Sequence, residues 1–113
     1  MEWQQLKTRE DLEKAYQLSG ERPVLIYKHS NRCHICTMAL GRIERAWEPA
    51  DDQRLAPFFL DVIGSREVSD LVAVRTGVTH QSPQVLVIRD GKCVYSESHS
   101  GITYRDIIAA TTD

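Results

Sequence analysis

Val24-Leu25-Ile26-Tyr27-Lys28-His29-Ser30-Asn31-Arg32-Cys33-His34-Ile35-Cys36 decides the fold. An apolar run breaks into a short polar turn, and the turn delivers two cysteines in C-x-x-C spacing. Beyond it, Cys36, Ala39, Leu40, Ile43 and Trp47 keep the spacing of one buried helical stripe, which Pro49 ends. Strand, turn and helix in that order place Cys33 at a helix N-terminus. Unpaired backbone N–H groups and the positive end of the helix dipole stabilise an anion there. A thiolate is the species that attacks disulfides, so this placement makes Cys33 a nucleophile. Cys36 sits one helical turn on and begins the buried stripe. It is therefore expected to lie inward, shielded, and placed to resolve whatever Cys33 attacks.

The bulk properties narrow the setting. At 113 residues the chain is expected to form a single domain, 1–113, with one core. Sixteen acidic and fourteen basic residues are interspersed for a net charge of −2, which points away from a nucleic-acid or membrane partner. Met1-Glu2-Trp3-Gln4-Gln5 lacks the basic and apolar regions of a signal peptide, so a cytoplasmic location is expected. In that reducing compartment an isolated C-x-x-C is redox-active or metal-binding rather than structural.

Further elements follow on both sides. Trp3 to Leu6 carries a weak strand signal. Thr8-x-x-Asp11 resembles a capping box, with Leu12, Ala15 and Tyr16 on one helical face and Gly20 as the stop. Glu48 to Ala56 reads as a polar turn region in which Asp51-Asp52 is solvated. Phe58 to Val62 is a short apolar strand, and Ser65 is placed to cap a helix with Val68, Leu71 and Val72 inside, ending at Gly77. Val85 to Ile88 is a buried strand, and Asp90-Gly91 signals a tight hairpin into Lys92 to Ser98. Ile102 and Ile107 bracket Thr103-x-x-Asp106 as a staple around a cap, opening a last helix to about Ala110. The order (β)-α-β-α-β-α-β-β-α predicts an α/β fold: a mixed central sheet of four to five strands with helices on both faces.

With the C-x-x-C at its first strand–helix junction and Ser82-Pro83 before the penultimate strand, this order resembles the thioredoxin fold. Thr76-Gly77-Val78 and Val87-Ile88-Arg89-Asp90-Gly91-Lys92 match its later landmarks. More narrowly, Tyr27-Lys28-His29-Ser30, Phe59-Leu60-Asp61, His80-Gln81-Ser82-Pro83-Gln84 and Ser96 to His99 resemble the bacillithiol-system redox family, the YtxJ-like monothiol bacilliredoxins. The resemblance covers nearly the whole chain. It implies a thiol–disulfide oxidoreductase; no cofactor and no metal are expected. Its implied partners are a low-molecular-weight thiol (bacillithiol or a glutathione-like one) and client proteins carrying mixed disulfides. The runner-up reading is a thioredoxin-type general protein disulfide reductase served by a flavin-dependent reductase, and a reading of another class is a non-catalytic thioredoxin-fold module whose C-x-x-C is a metal clip or a relic. The resemblance also implies a cis Ser82-Pro83 bond, with the backbone before the proline free to pair with substrate; the plain alternative is a trans proline opening an edge strand. Two departures stand out. The family often carries Ser where this chain has Cys36, and thioredoxins carry a buried acid where this chain has Tyr27.

Cys33 and Cys36 are thus the expected catalytic pair. Lys28, His29, Arg32 and His34 are expected to act as cations near the sulfur, lowering its pKa or drawing in the carboxylates of a small thiol. A partly protonated His34 between the cysteines would favour the reduced form and move the couple to the oxidising side of thioredoxin's ~−270 mV. Zinc is the main rival, since C-x-x-C supplies two ligands. Tetrahedral zinc takes four, and only Cys93 with His80 or His99 is on offer, without a second paired motif. An iron–sulfur cluster bridging two copies is a minor alternative. Cys93, His80, His99, Trp3 and Trp47 read as packing or loop residues, and Asp61 as either an acid near the sulfurs or a strand-end residue, the second being favoured.

Overall fold

The computed structural model describes residues 1–111. At its centre runs β2 (Val24–His29), buried at all six positions. A strand covered on both faces has no polar side to alternate with, which explains the continuous apolar run. β3 (Ala56–Asp61) lies parallel to it with Phe58 opposite Ile26, and β1 (Gln4–Gln5) lies parallel to β3. On the other side β4 (Gln84–Arg89) runs antiparallel with Leu86 opposite Ile26, and β5 (Lys92–Ser98) pairs antiparallel to β4. The strand order is β1-β3-β2-β4-β5.

Helices supply the crossovers that parallel neighbours require. α1 (Arg9–Leu18) and α4 (Arg66–Thr76) cover one face, where Leu12, Ala15, Val68 and Val72 meet Val24, Ile26, Leu60 and Leu86. α2 (His34–Ala46) and α5 (Tyr104–Ala109) cover the other, where Ala39, Ile43 and Ile107 meet Leu25, Tyr27, Val85 and Val87. Successive β2 side chains therefore alternate between the two cores. This alternation fixes which side of the sheet each residue of the site faces.

The local signals act as their chemistry predicts. Thr8 and Asp11 close a reciprocal capping box. Gly77 ends α4 in the left-handed region at φ 72°. Asp90 and Gly91 both take positive φ, 51° and 77°, the combination a two-residue I′ hairpin turn needs. Thr103 Oγ1 accepts from the Asp106 N–H at 3.2 Å, between buried Ile102 and Ile107.

α1 ends at Leu18 with Ser19 as its C-cap and Gly20 just beyond it, where the stop was expected, and the buried Ser19 hydroxyl accepts from the Gly91 N–H. Two local expectations are corrected. Ser65 occupies the N-cap position of α4 without a side-chain cap; instead Asp61 Oδ1 accepts from the N–H groups of Ile63 and Gly64, which settles Asp61 as a strand-end residue. The segment after α2 contains a one-turn helix, α3 (Asp51–Arg54), and Asp51 is buried rather than solvated. Its carboxylate accepts from the Glu48 N–H, Arg54 and the Tyr104 hydroxyl, and those bonds make its burial affordable. Among the described residues no helix is long and apolar enough to cross a membrane.

Candidate functional site at the C-x-x-C turn

β2 ends at His29, and Ser30 begins the turn by accepting from the Cys33 N–H at 3.1 Å. Cys33 is itself the N-cap of α2, with extended backbone (φ −113°, ψ 111°), and its sulfur accepts from the Cys36 N–H at 3.4 Å. A cysteine thus stands where Ser, Thr or Asp usually caps, and the orphan N–H that an oxygen would satisfy is aimed at a sulfur. Cys33 is partly exposed, whereas Cys36 is fully buried.

The two sulfurs are driven apart in acidity. Hydrogen bonds from the Cys36 thiol and N–H, and from the Ile35 N–H, pull the Cys33 thiol below its ordinary value. Burial pushes the Cys36 thiol up; the Ser82 hydroxyl opposes that rise, and the neighbouring Cys33 adds to it. The favoured arrangement is a thiolate on Cys33 and a proton on Cys36. Ser82 Oγ lies 3.3 Å from Cys36 Sγ, and the Ser82-Pro83 bond is cis. The Tyr27 hydroxyl, in the buried strand beneath, donates to the Cys36 carbonyl oxygen at 2.5 Å.

The expected cations are arranged differently. Lys28 alternates to the sheet face opposite Tyr27 and is fully buried. Its ammonium donates to the Ser69 carbonyl at 3.2 Å and faces His80 Nδ1 at 3.2 Å, so it is spent on α4 and the loop after it. Burial pulls the Lys28 pKa down to about 8, against the opposing pull of Asp70. His29 is buried beside Phe59 and Tyr27, with Nε2 3.1 Å from Asn31 Oδ1. Arg32 and His34 are exposed on either side of Cys33. The lowering of the Cys33 pKa is thus carried by the Cys36 thiol and backbone N–H groups rather than by these four side chains.

Sequence reasoning missed two groups. The Ser82 hydroxyl, and not just the backbone before the proline, reaches the inner sulfur. Ile35 and Met38, each about half exposed, form an apolar rim beside the motif with buried Ile102 behind it. Helical spacing from Cys36 foretold neither, because both depend on how the Ser82 and His99 loops fold back onto α2. Cys93 packs at the edge of the α1 core with its sulfur 3.3 Å from the Tyr95 carbonyl, and burial pushes its pKa up. Trp3 and Trp47 pack against the α2 core. Among the described residues, no three His, Cys, Asp or Glu side chains converge as a metal cage would require.

Comparisons with known proteins agree with this geometry. A structure described as "A putative oxidoreductase with a thioredoxin fold" superposes with a TM-score of 0.80 at 25% identity, covering 96% of this chain and 93% of the other. Fasciola hepatica thioredoxin gives 0.76 at 22% identity, over 96% and 99% of the two chains. Malassezia sympodialis thioredoxin gives 0.74 at 17%, over 97% and 88%. The last two likenesses establish the fold, with its mixed five-stranded sheet and helices on both faces. The family model described as "Monothiol bacilliredoxin BrxC" matches residues 4–107, nearly the whole chain. By that match the chain belongs to the monothiol bacilliredoxin family, and with it to the thiol redox proteins.

Proposed function

We propose that this protein is a thiol–disulfide oxidoreductase that removes small-thiol caps from protein cysteines, with Cys33 as nucleophile and Cys36 as resolving thiol. The observation that carries the reading is the opposed acidity of the two sulfurs: an accessible one favoured as thiolate, a buried one held as thiol. The Cys33 thiolate attacks the small-thiol sulfur of a mixed disulfide. One S–S bond forms to Cys33 as the old one breaks, and the client leaves as its thiolate. Cys36 then loses its proton and attacks Cys33, expelling the small thiol and leaving a Cys33–Cys36 disulfide. Two electrons from an external reductant, a small thiol or a flavin-dependent reductase, restore both thiols. The apolar rim of Ile35 and Met38 suits a client segment of extended chain, and the exposed Arg32 and His34 suit a carboxylate-bearing small thiol such as bacillithiol. The reaction fits a cytoplasmic setting.

Intact-mass analysis after exposure to bacillithiol disulfide tests the assignment. The wild type is expected to pass through an adduct to an internal disulfide, Cys36→Ser to retain the adduct, and Cys33→Ser to gain none. Equal adducts on all three proteins would overturn it.

A further inference from the structure

Beside the C-x-x-C turn, Arg32, Arg66, Asp70 and His80 surround an open cleft of about 550 Å³, with Val62 and Ile63 as its apolar wall. Arg32, the residue directly before Cys33, belongs to its lining and ties the cleft to the turn that carries the reactive sulfur. Among the described residues neither Arg32 nor Arg66 forms an ion pair with a carboxylate. Beneath lies the fully buried Lys28 ammonium, bonded to the Ser69 carbonyl and to His80 Nδ1. An ammonium can only donate, so Nδ1 must accept, and the ring proton belongs on Nε2. Lys28 thereby fixes the tautomer that leaves His80 a donor on its other edge. Arg32, Arg66 and Lys28 outweigh the single carboxylate of Asp70, so the cleft presents excess positive charge and free donors to a small anion.

Resting on the reading of Cys33 given above, we propose that this cleft is the subsite for the carboxylate end of the small thiol, held by Arg66, Arg32 and His80 while its sulfur lies at Cys33. Guanidinium groups recognise carboxylates through paired, charge-assisted hydrogen bonds, which suits a dicarboxylate better than a neutral or cationic thiol. Lys28 acts here as a positioning residue. It orients His80 and adds its charge from below without touching the ligand.

The test compares two small disulfides: glutathione disulfide, which bears carboxylates, and 2-hydroxyethyl disulfide, which is neutral. In each case the Cys33 thiolate forms a new S–S bond and releases one small thiol per attack, and that release is timed. The readout is the ratio of the two rates, which cancels changes in Cys33 itself. Arg66→Gln is expected to lower the anionic-to-neutral ratio about fivefold, as is added salt, with Arg66→Lys retaining most of it. An Arg66→Gln ratio within about twofold of wild type would overturn the cleft assignment while leaving Cys33 as the nucleophile. If the wild type releases no thiol from either disulfide, the reading of Cys33 fails, and the subsite falls with it.

Discussion

The Tyr27 hydroxyl donates to the Cys36 carbonyl oxygen across 2.5 Å, joining the buried middle of β2 to the first turn of α2. Both residues are fully buried. Burial pushes the phenol's pKa up, and negative charge on Cys36 and Cys33 pushes it further. Tyr27 is therefore a permanent donor. It stands where thioredoxins carry a buried acid, and its work is to hold the Cys36 backbone in place rather than to move protons.

Tyr27→Phe isolates that role. It keeps the ring against Trp3 and Phe59 and deletes the hydroxyl. One lost neutral hydrogen bond costs about 0.5–1.5 kcal/mol. For a domain of this size the thermal midpoint should fall by roughly 2–6 °C. The pH profile of Cys33 alkylation should hold its shape, because the phenol never ionises in that range. A shifted profile with an unchanged midpoint would contradict the structural role.

The acidity of Cys33 gives a second test. The Cys36 thiol is the largest influence lowering it, ahead of the backbone N–H groups. Iodoacetamide should therefore label Cys33 at a pH below the midpoint of a free cysteine, near ~8.5. Cys36→Ala removes the thiol donor and keeps the N–H groups, so the Cys33 midpoint should rise. Cys36→Ser replaces S–H by O–H and should stay closer to wild type. An identical midpoint in Cys36→Ala and wild type would show that the helix start alone sets the acidity.

The elements and their order were legible because each is punctuated by local chemistry: the Thr8 and Thr103 caps, the Asp90-Gly91 turn, the stop at Gly77. The inward position of Cys36 was legible from helical spacing. What could not be read were side chains whose surroundings are assembled from distant segments. Lys28 looked like a cation for the nearby sulfur, but strand alternation sends it to the opposite core, where Ser69 and His80 receive it. Asp51 looked solvated because it has an acidic neighbour, yet Tyr104, far along the chain, closes over it. Sequence proximity predicts backbone contact well and side-chain company poorly.

Lys28 has a measurable consequence. An unfolded lysine titrates near ~10.4, whereas this one titrates at about 8 when folded. Between those values the unfolded chain keeps a proton that the folded chain has shed, so stability from this group rises with pH across the window. Below pH 8 the penalty for burying the charge is present in full, on the order of 3 kcal/mol. Lys28→Met fills similar volume without charge. It should be at least as stable as wild type at pH 7, with the difference shrinking in denaturant melts as pH rises from 8 towards 10. Parallel stability curves for the two proteins would mean that Lys28 carries no such penalty.

Ser82 offers the sharpest test of the two-thiol route, since this chain keeps a second cysteine in a family described as monothiol. With the Cys36 proton directed at the Cys33 thiolate, the Ser82 hydroxyl is free to donate to Cys36 Sγ at 3.3 Å. That bond opposes the upward push of burial on Cys36. It strengthens when Cys36 ionises to attack the adduct, so it favours resolution more than the first attack. Ser82→Ala should therefore leave adduct formation near its wild-type rate and slow conversion of the adduct to the internal disulfide about fivefold, the worth of one hydrogen bond. The slowing should lessen as pH rises, because more Cys36 ionises unaided. Timed mass spectrometry separates the two steps. Equal rates of resolution in Ser82→Ala and wild type would mean that the hydroxyl has no part in freeing Cys33.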